Sequence, residues 1–141
     1  ALMSRLYSTK EAAEASGIAL ETVRYYCKIN LVPRVRRDEN NYRVFDDHDI
    51  AWLKGLHCLH ECGMGIEQMR HYMELCLQGE ERIPEREVML IAQRQVVEDK
   101  IALLRENLEF IDSKMEFYAG VRSGEIEYQS NLLPPASSET A

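Results

Sequence analysis

From Pro84 to Ala119 the chain contains no glycine and no second proline, and Gly120 ends the run. Pro84 suits the first turn of a helix, where a missing amide costs nothing. About 36 residues of α-helix would reach about 54 Å. Along this stretch Val97, Ile101, Leu104, Leu108, Ile111, Met115 and Tyr118 alternate spacings of four and three. Three heptads of that kind form a coiled-coil seam. A chain of 141 residues holds one small core. A helix this long cannot bury its seam inside such a core, so a partner chain is expected to cover it.

The N-terminal part reads as shorter pieces. Ser8-Thr9-Lys10-Glu11 is a capping-box pattern, in which the Ser8 hydroxyl takes the Glu11 amide and the Glu11 carboxylate reaches back. A helix rich in alanine follows and stops at Gly17. A second helix is predicted over residues 20–28, "LETVRYYCK". Two short helices joined by a tight glycine turn are the helix-turn-helix signature.

On the second helix Leu20, Val23 and Cys27 form the expected inward set, with Thr22, Arg24, Tyr25 and Tyr26 largely outside. Adjacent tyrosines cannot share one face, so at least one is exposed or lies at an edge. Tyr26 stays open between a DNA contact and a residue at the core's edge. The guanidinium of Arg24 and the phenol of Tyr25 are donors suited to phosphates and base edges.

After Pro33, "RVRRDENNYRVF" reads as a hairpin with Asp38-Glu39-Asn40-Asn41 at its turn. Arg36, Arg37 and Arg43 decorate it, as on a wing that lies along a DNA backbone. Asp46-Asp47-His48-Asp49 opens a third helix that reaches Cys62 and ends at Gly63. A fourth covers about residues 66–77, with Ile66, Met69, Met73 and Leu77 at helical spacing, and "QGEERIP" breaks it.

Charge supports a nucleic-acid partner only when read locally. The net charge is −7, yet residues 1–54 hold nine Lys/Arg against eight Asp/Glu. Within residues 24–43 six basic side chains face two acidic ones. A basic N-terminal surface before an acidic remainder is the balance of a small DNA reader with a second, non-DNA half. No apolar run is long enough to span a membrane, and no secretory leader is visible. The cytoplasm is the expected compartment. The four cysteines include no C-x-x-C pair, so they are expected to be reduced thiols rather than a disulfide framework.

A winged helix-turn-helix, a two-helix connector and one long dimerisation helix together resemble the MerR family of bacterial transcription regulators. The strings "GIALETVRYYCKINLVP", "NNYRVFDDHDI" and "CGMGIEQM" carry the resemblance, which covers residues 5 to about 119. It implies an antiparallel coiled-coil homodimer on a double-stranded, pseudo-palindromic promoter. RNA polymerase would be affected indirectly, through distortion of that DNA. Matched to the family's motifs, Thr22, Arg24 and Tyr25 stand at recognition-helix contacts. Tyr42 and Arg43 stand on the wing, and Ser8 and His60 fall where the family touches phosphates.

Three positions depart from the family pattern. Ala19 replaces the usual serine cap of the second helix, Cys27 an acidic residue, and Asn30 a glycine. Asparagine is the next-best residue for a left-handed turn.

The densest cluster of reactive side chains is "LHCLHECGM", residues 56–64. At 100° per residue, Ile50, Trp52, Leu53, Leu56 and Leu59 share one face of the third helix. Ala51, Gly55, Cys58 and Cys62 share nearly the opposite one. A structural zinc site needs four converging ligands, and this division sends the thiols away from His60, so no metal site is expected. A Cys58–Cys62 disulfide across one helical turn is geometrically poor. A small-residue stripe suits close helix packing, with cysteine as a small hydrophobe.

The alternative for Cys58 is a reactive thiol, since Lys54 one turn before it and His57 beside it favour a thiolate. Resemblance sharpens that reading. In NmlR/AdhR-like regulators, which are associated with aldehyde, nitrosothiol and electrophile stress, a cysteine stands where Cys58 stands in "CLHECGM". Such regulators control alcohol dehydrogenase and other detoxification genes. The competing implication is a MerR regulator with a non-covalent or metal effector, Cys58 being structural. A thiol enzyme is disfavoured, because His57 and Cys58 point about 100° apart, and no cofactor motif accompanies them.

The expected fold is mostly α: a winged helix-turn-helix with connector helices over residues 5–80, a coiled-coil dimerisation helix over 84–119, and a short tail over 120–141. The candidate DNA contacts are Ser8, Thr22, Arg24, Tyr25, Tyr26, Arg36, Tyr42, Arg43 and His60.

Overall fold

Two carbonyls just past the second helix are each taken by a side chain from a later helix, and this ties the N-terminal unit together. The computed structural model describes residues 5–134. In chain order it contains α1 (Thr9–Ser16), α2 (Leu20–Lys28), β1 (Arg36–Arg37), β2 (Arg43–Val44), α3 (Asp47–Glu61), α4 (Ile66–Leu77), a 3₁₀ turn (Glu80–Arg82) and α5 (Ile83–Ser123). The fold is mostly helical with a two-stranded wing and a long C-terminal helix, the class expected from the sequence.

The caps follow the local chemistry. The Ser8 hydroxyl accepts from the Glu11 amide and Glu11 accepts from the Ser8 amide, so the capping box of α1 forms. Gly17, at φ 72°, ends that helix. Ala19 gives α2 no side-chain cap, as its methyl requires. Asn30 takes φ 62° just past α2, the conformation that the departure from glycine implied. On α3, Asp46 and Asp49 make a reciprocal box across the first turn.

Phe45, Leu31, Leu53, Leu56, Met69 and Val23 are fully buried and form the centre of the core. Trp52 Nε1 donates to the Leu31 carbonyl at 2.7 Å, and Arg70 Nη2 donates to the Ile29 carbonyl at 2.7 Å. Tyr7 and Phe45 bridge through their main chains at 2.7 and 2.8 Å, which holds the N-terminus beside the wing's exit.

Several sequence expectations are corrected by packing. On α4, Leu75 is buried and Leu77 is 58% exposed, the reverse of what a simple apolar repeat suggests. Helical spacing alone does not say how far round the helix the neighbouring elements reach. Asp49 is only 3% exposed, because its carboxylate is drawn in by the cap.

Packing groups the described residues into two compact units. One compact unit runs to Val97 and a second begins at Glu98. The first turns of α5 belong to the N-terminal unit because Met89 packs on its core. Gln93, 7% exposed, donates to the Cys62 carbonyl at the end of α3, and Arg86 donates to the Gly79 carbonyl.

In the second unit α5 passes through Gly120 instead of ending there, so the helix has 41 residues. Gly124, at φ 85°, makes the reversal, and the Ile126 amide donates to the Gly120 carbonyl at 3.0 Å. A Cβ on Gly120 would lie 2.3 Å from Ile126 Cδ1. Glycine there permits close approach rather than a helix stop. Ile101, Leu104, Leu108, Ile111, Met115 and Tyr118 of the expected seam are all exposed on the single chain, and Val97 is half-buried. Of the expected tail, residues 135–141 lie outside the described residues.

Asp46→Ala should cost about 1 kcal/mol of stability at neutral pH, measured by urea unfolding. The Asp49 amide holds the Asp46 carboxyl below its ordinary value. A depressed folded pKa contributes stability above the unfolded value and loses it as pH falls through the folded one. The gap between wild type and variant should therefore narrow on acidification.

Candidate nucleic-acid interface

The outward face of α2 begins with Thr22, half-exposed, and Tyr25, 46% exposed. Arg24 is exposed and held by Glu21 at 3.0 Å. An i, i+3 pair this exposed contributes little stability, but it extends the guanidinium along the helix surface. His60, near the end of α3, joins Thr22 and Tyr25 around one cleft of about 310 Å³, floored by Ile66 and Met69. Residues far apart in sequence, assigned separately to base and phosphate contacts, are thus neighbours.

Tyr26 is corrected. It is 3% exposed and belongs to the core with Val23 and Leu31. Its ring lies 6.4 Å from that of Tyr25, centroid to centroid, and burial pushes its phenol pKa up. One tyrosine of the pair packs and the other faces out, as their 100° separation on a helix demands.

The wing is set by Asp38. Its Oδ1 accepts the amides of Asn40 and Tyr42 at 2.9 and 3.0 Å, while Asn41 takes φ 65°. This tight tip leaves Tyr42 70% exposed. Arg37, opposite Arg43 in the two-residue ladder, donates to the Asn41 carbonyl at 2.8 Å. Arg36 is exposed and reaches Asp46 at 3.7 Å, which ties the wing to the α3 cap. Ser8 Oγ accepts within its capping box, and its proton remains available to donate to a phosphate oxygen.

Arg37, read from the sequence as one of the wing's arginines, is exposed. One basic group that the sequence reading missed is Arg5, whose guanidinium stacks 4.5 Å from the Tyr7 ring centroid. Arg5 had no sequence signal, since its place depends on the Tyr7–Phe45 bridge.

The "LHCLHECGM" cluster separates as the helical wheel requires. His57 Nε2 pairs with Glu61 Oε1 at 3.4 Å, so it is turned toward a carboxylate. Cys58 is exposed, whereas Cys27, Cys62 and Cys76 are half-buried, and all four are free thiols. Burial pushes the Cys27 and Cys76 thiols up. Among the described residues no three His, Cys, Asp or Glu side chains converge as a metal site. The small-residue stripe is not packed within one chain: Ala51, Gly55 and Cys58 are exposed, and nothing lies within 4 Å of a Cβ placed on Gly55.

Known proteins agree with this architecture. The family description "MerR HTH family regulatory protein" matches residues 7–76. An uncharacterized HTH-type transcriptional regulator of Haemophilus influenzae is 38% identical over 112 residues, 79% of this chain and 83% of that protein. The chain belongs to the MerR family.

The Bacillus subtilis transcriptional regulator AdhR is 31% identical over 85 residues, 60% of this chain and 61% of AdhR. Among solved structures, HiNmlR, a MerR family regulator lacking the sensor domain and bound to promoter DNA, superposes with a TM-score of 0.74. It is 35% identical, and the match covers 84% of this chain and 90% of that one. A MerR family regulator from Listeria monocytogenes gives a TM-score of 0.72 at 32% identity over 80% of this chain and 86% of that one. Homologues and fold are those of transcriptional regulators and not of enzymes. No helix among the described residues is long and apolar enough to cross a membrane.

The two tyrosines should separate by assay. Tyr26→Ala should lose about 3–5 kcal/mol of stability, as large aromatic truncations in cores do. Tyr25→Ala should change stability by less than about 0.5 kcal/mol while weakening promoter binding in a mobility-shift titration.

Proposed function

We propose that this MerR-type regulator is a homodimer that controls promoters of detoxification genes, such as alcohol dehydrogenase, in response to reactive aldehydes and other electrophiles. Thr22, Arg24 and Tyr25 read the major groove. Arg36, Tyr42 and Arg43 follow the backbone from the wing, and Ser8 and His60 hold phosphates. The exposed seam of α5 pairs antiparallel with that of a second copy. RNA polymerase is affected only through the shape of the DNA, and the protein works in the cytoplasm.

The observation that carries the effector reading is the exposure of Cys58 beside three half-buried thiols. A soft electrophile meets the accessible sulfur first. With an aldehyde, the Cys58 thiolate adds to the carbonyl carbon and the oxygen takes up a proton, which leaves a hemithioacetal.

A route from this sulfur to the long helix exists within the N-terminal unit. The Cys58 carbonyl accepts the Cys62 amide at 3.0 Å, and the Cys62 carbonyl is the one that Gln93 of α5 holds. A substituent on Cys58 thus sits one turn from the hydrogen bond that couples α3 to α5. The relatives named AdhR and HiNmlR support the same branch of the family.

Cys58→Ser should abolish aldehyde induction in a promoter-reporter strain and leave operator affinity unchanged; full induction by this variant would overturn the thiol reading. Arg43→Ala should weaken binding and flatten the plot of log affinity against log salt by about 0.9 for one lost phosphate contact. Leu104→Lys combined with Leu108→Lys should give a monomer by sedimentation.

A further inference from the structure

A cleft of about 320 Å³ opens between α3, α4 and the loop after Leu31, within the size range of small-molecule sites. Pro33, Trp52, Met73 and Leu77 give it an apolar wall, and Arg34 and His48 stand at its polar side. The indole N–H of Trp52 is spent on the Leu31 carbonyl, so the ring offers the cleft a fixed apolar surface. Leu77, 58% exposed, stands at the opening.

The charges around the cleft are unequal. Asp49 contributes to the lining, but it is almost wholly buried and its Oδ2 accepts the Asp46 amide at 3.0 Å. Its charge is therefore turned into the α3 cap. Arg34 is exposed and has no carboxylate oxygen within 4.0 Å among the described residues, although its charge acts on Asp46 and Asp49. His48 is exposed beside it and adds an imidazole donor. The Cys76 thiol, raised by burial, supplies polarizable surface rather than a nucleophile. An apolar wall edged by a guanidinium whose N–H donors are turned to solvent is complementary to an amphipathic anion, which would compete with the longer-range pull of Asp46 and Asp49 on Arg34.

We infer that this cleft binds a small aromatic carboxylate, its ring against Trp52, Met73 and Leu77 and its carboxylate on Arg34 and His48. The ligand bridges α4 and the base of the wing, since Arg34 stands two residues before β1. None of these residues takes part in the DNA contacts or the thiol chemistry proposed above, so the site stands or fails independently of them.

The chain holds one tryptophan, and it lines the cleft, so its emission reports occupancy. Full-length protein without DNA is titrated with 2-naphthoate, and in parallel with neutral 2-naphthylmethanol and cationic 2-naphthylmethylamine. Free N-acetyltryptophanamide corrects for absorption by the probes. The expected result is saturable quenching by naphthoate, with the other two binding at least about tenfold more weakly, as loss of a charge-assisted hydrogen bond implies.

Arg34→Gln should weaken naphthoate by about tenfold for the same reason. Leu77→Glu, at an exposed position, should abolish binding with an unchanged melting curve. Three results would each overturn the site: no saturable quenching, equal or tighter binding of the amine, or undiminished naphthoate affinity in both variants.

Discussion

Two hydrogen bonds set the recognition helix in place. After α2 the chain turns through Asn30 and exposes the carbonyls of Ile29 and Leu31 to later elements, where Arg70 of α4 and Trp52 of α3 each donate to one. A buried carbonyl left without a donor costs stability of its own, so these side chains do more than decorate the core. They fix how α2 stands against the connector helices, and so bring His60 to the same cleft as Thr22 and Tyr25. The Tyr7–Phe45 bridge does the same for the wing's exit.

An overall charge of −7 is compatible with DNA binding because potential is local. Over a Debye length of about 8 Å at physiological salt, a phosphate near the wing would sense chiefly the charges beside it, among them Arg36, Arg37 and Arg43. The wing gathers those groups by means of Asp38, a single carboxylate that uses its oxygen on two backbone amides. Its acidity is spent on geometry, and Arg36 and Arg37 remain exposed while Arg43 is half-buried.

The fold was legible where a residue's own chemistry decides its backbone. Ser8 caps α1 because a side-chain oxygen can reach an amide three residues on. Asn30 takes a left-handed turn, and Ala19 leaves a helix uncapped. The candidate site was less legible because it depends on neighbours. Tyr25 and Tyr26 are chemically identical, and only the position of the core separates the one that packs from the one that faces out. Leu75 and Leu77 exchange roles for the same reason. Gly120 resembled a helix stop and is a close-approach residue, which is known only once Ile126 folds back on it.

Sequence by itself determined the element order, the capping box of α1, the wing's arginines and the uninterrupted heptad repeat of α5, because each follows from bonding within a few residues or from a fixed helical period. It also separated the histidines from the thiols in "LHCLHECGM", since 100° per residue allows nothing else. Only the tertiary structure decided that Cys58 is the exposed thiol, that Tyr26 is core, and that α5 is joined to the N-terminal unit through Gln93 and Met89. These outcomes turn on which surfaces meet across long sequence separations. Local chemistry leaves that open and burial settles it.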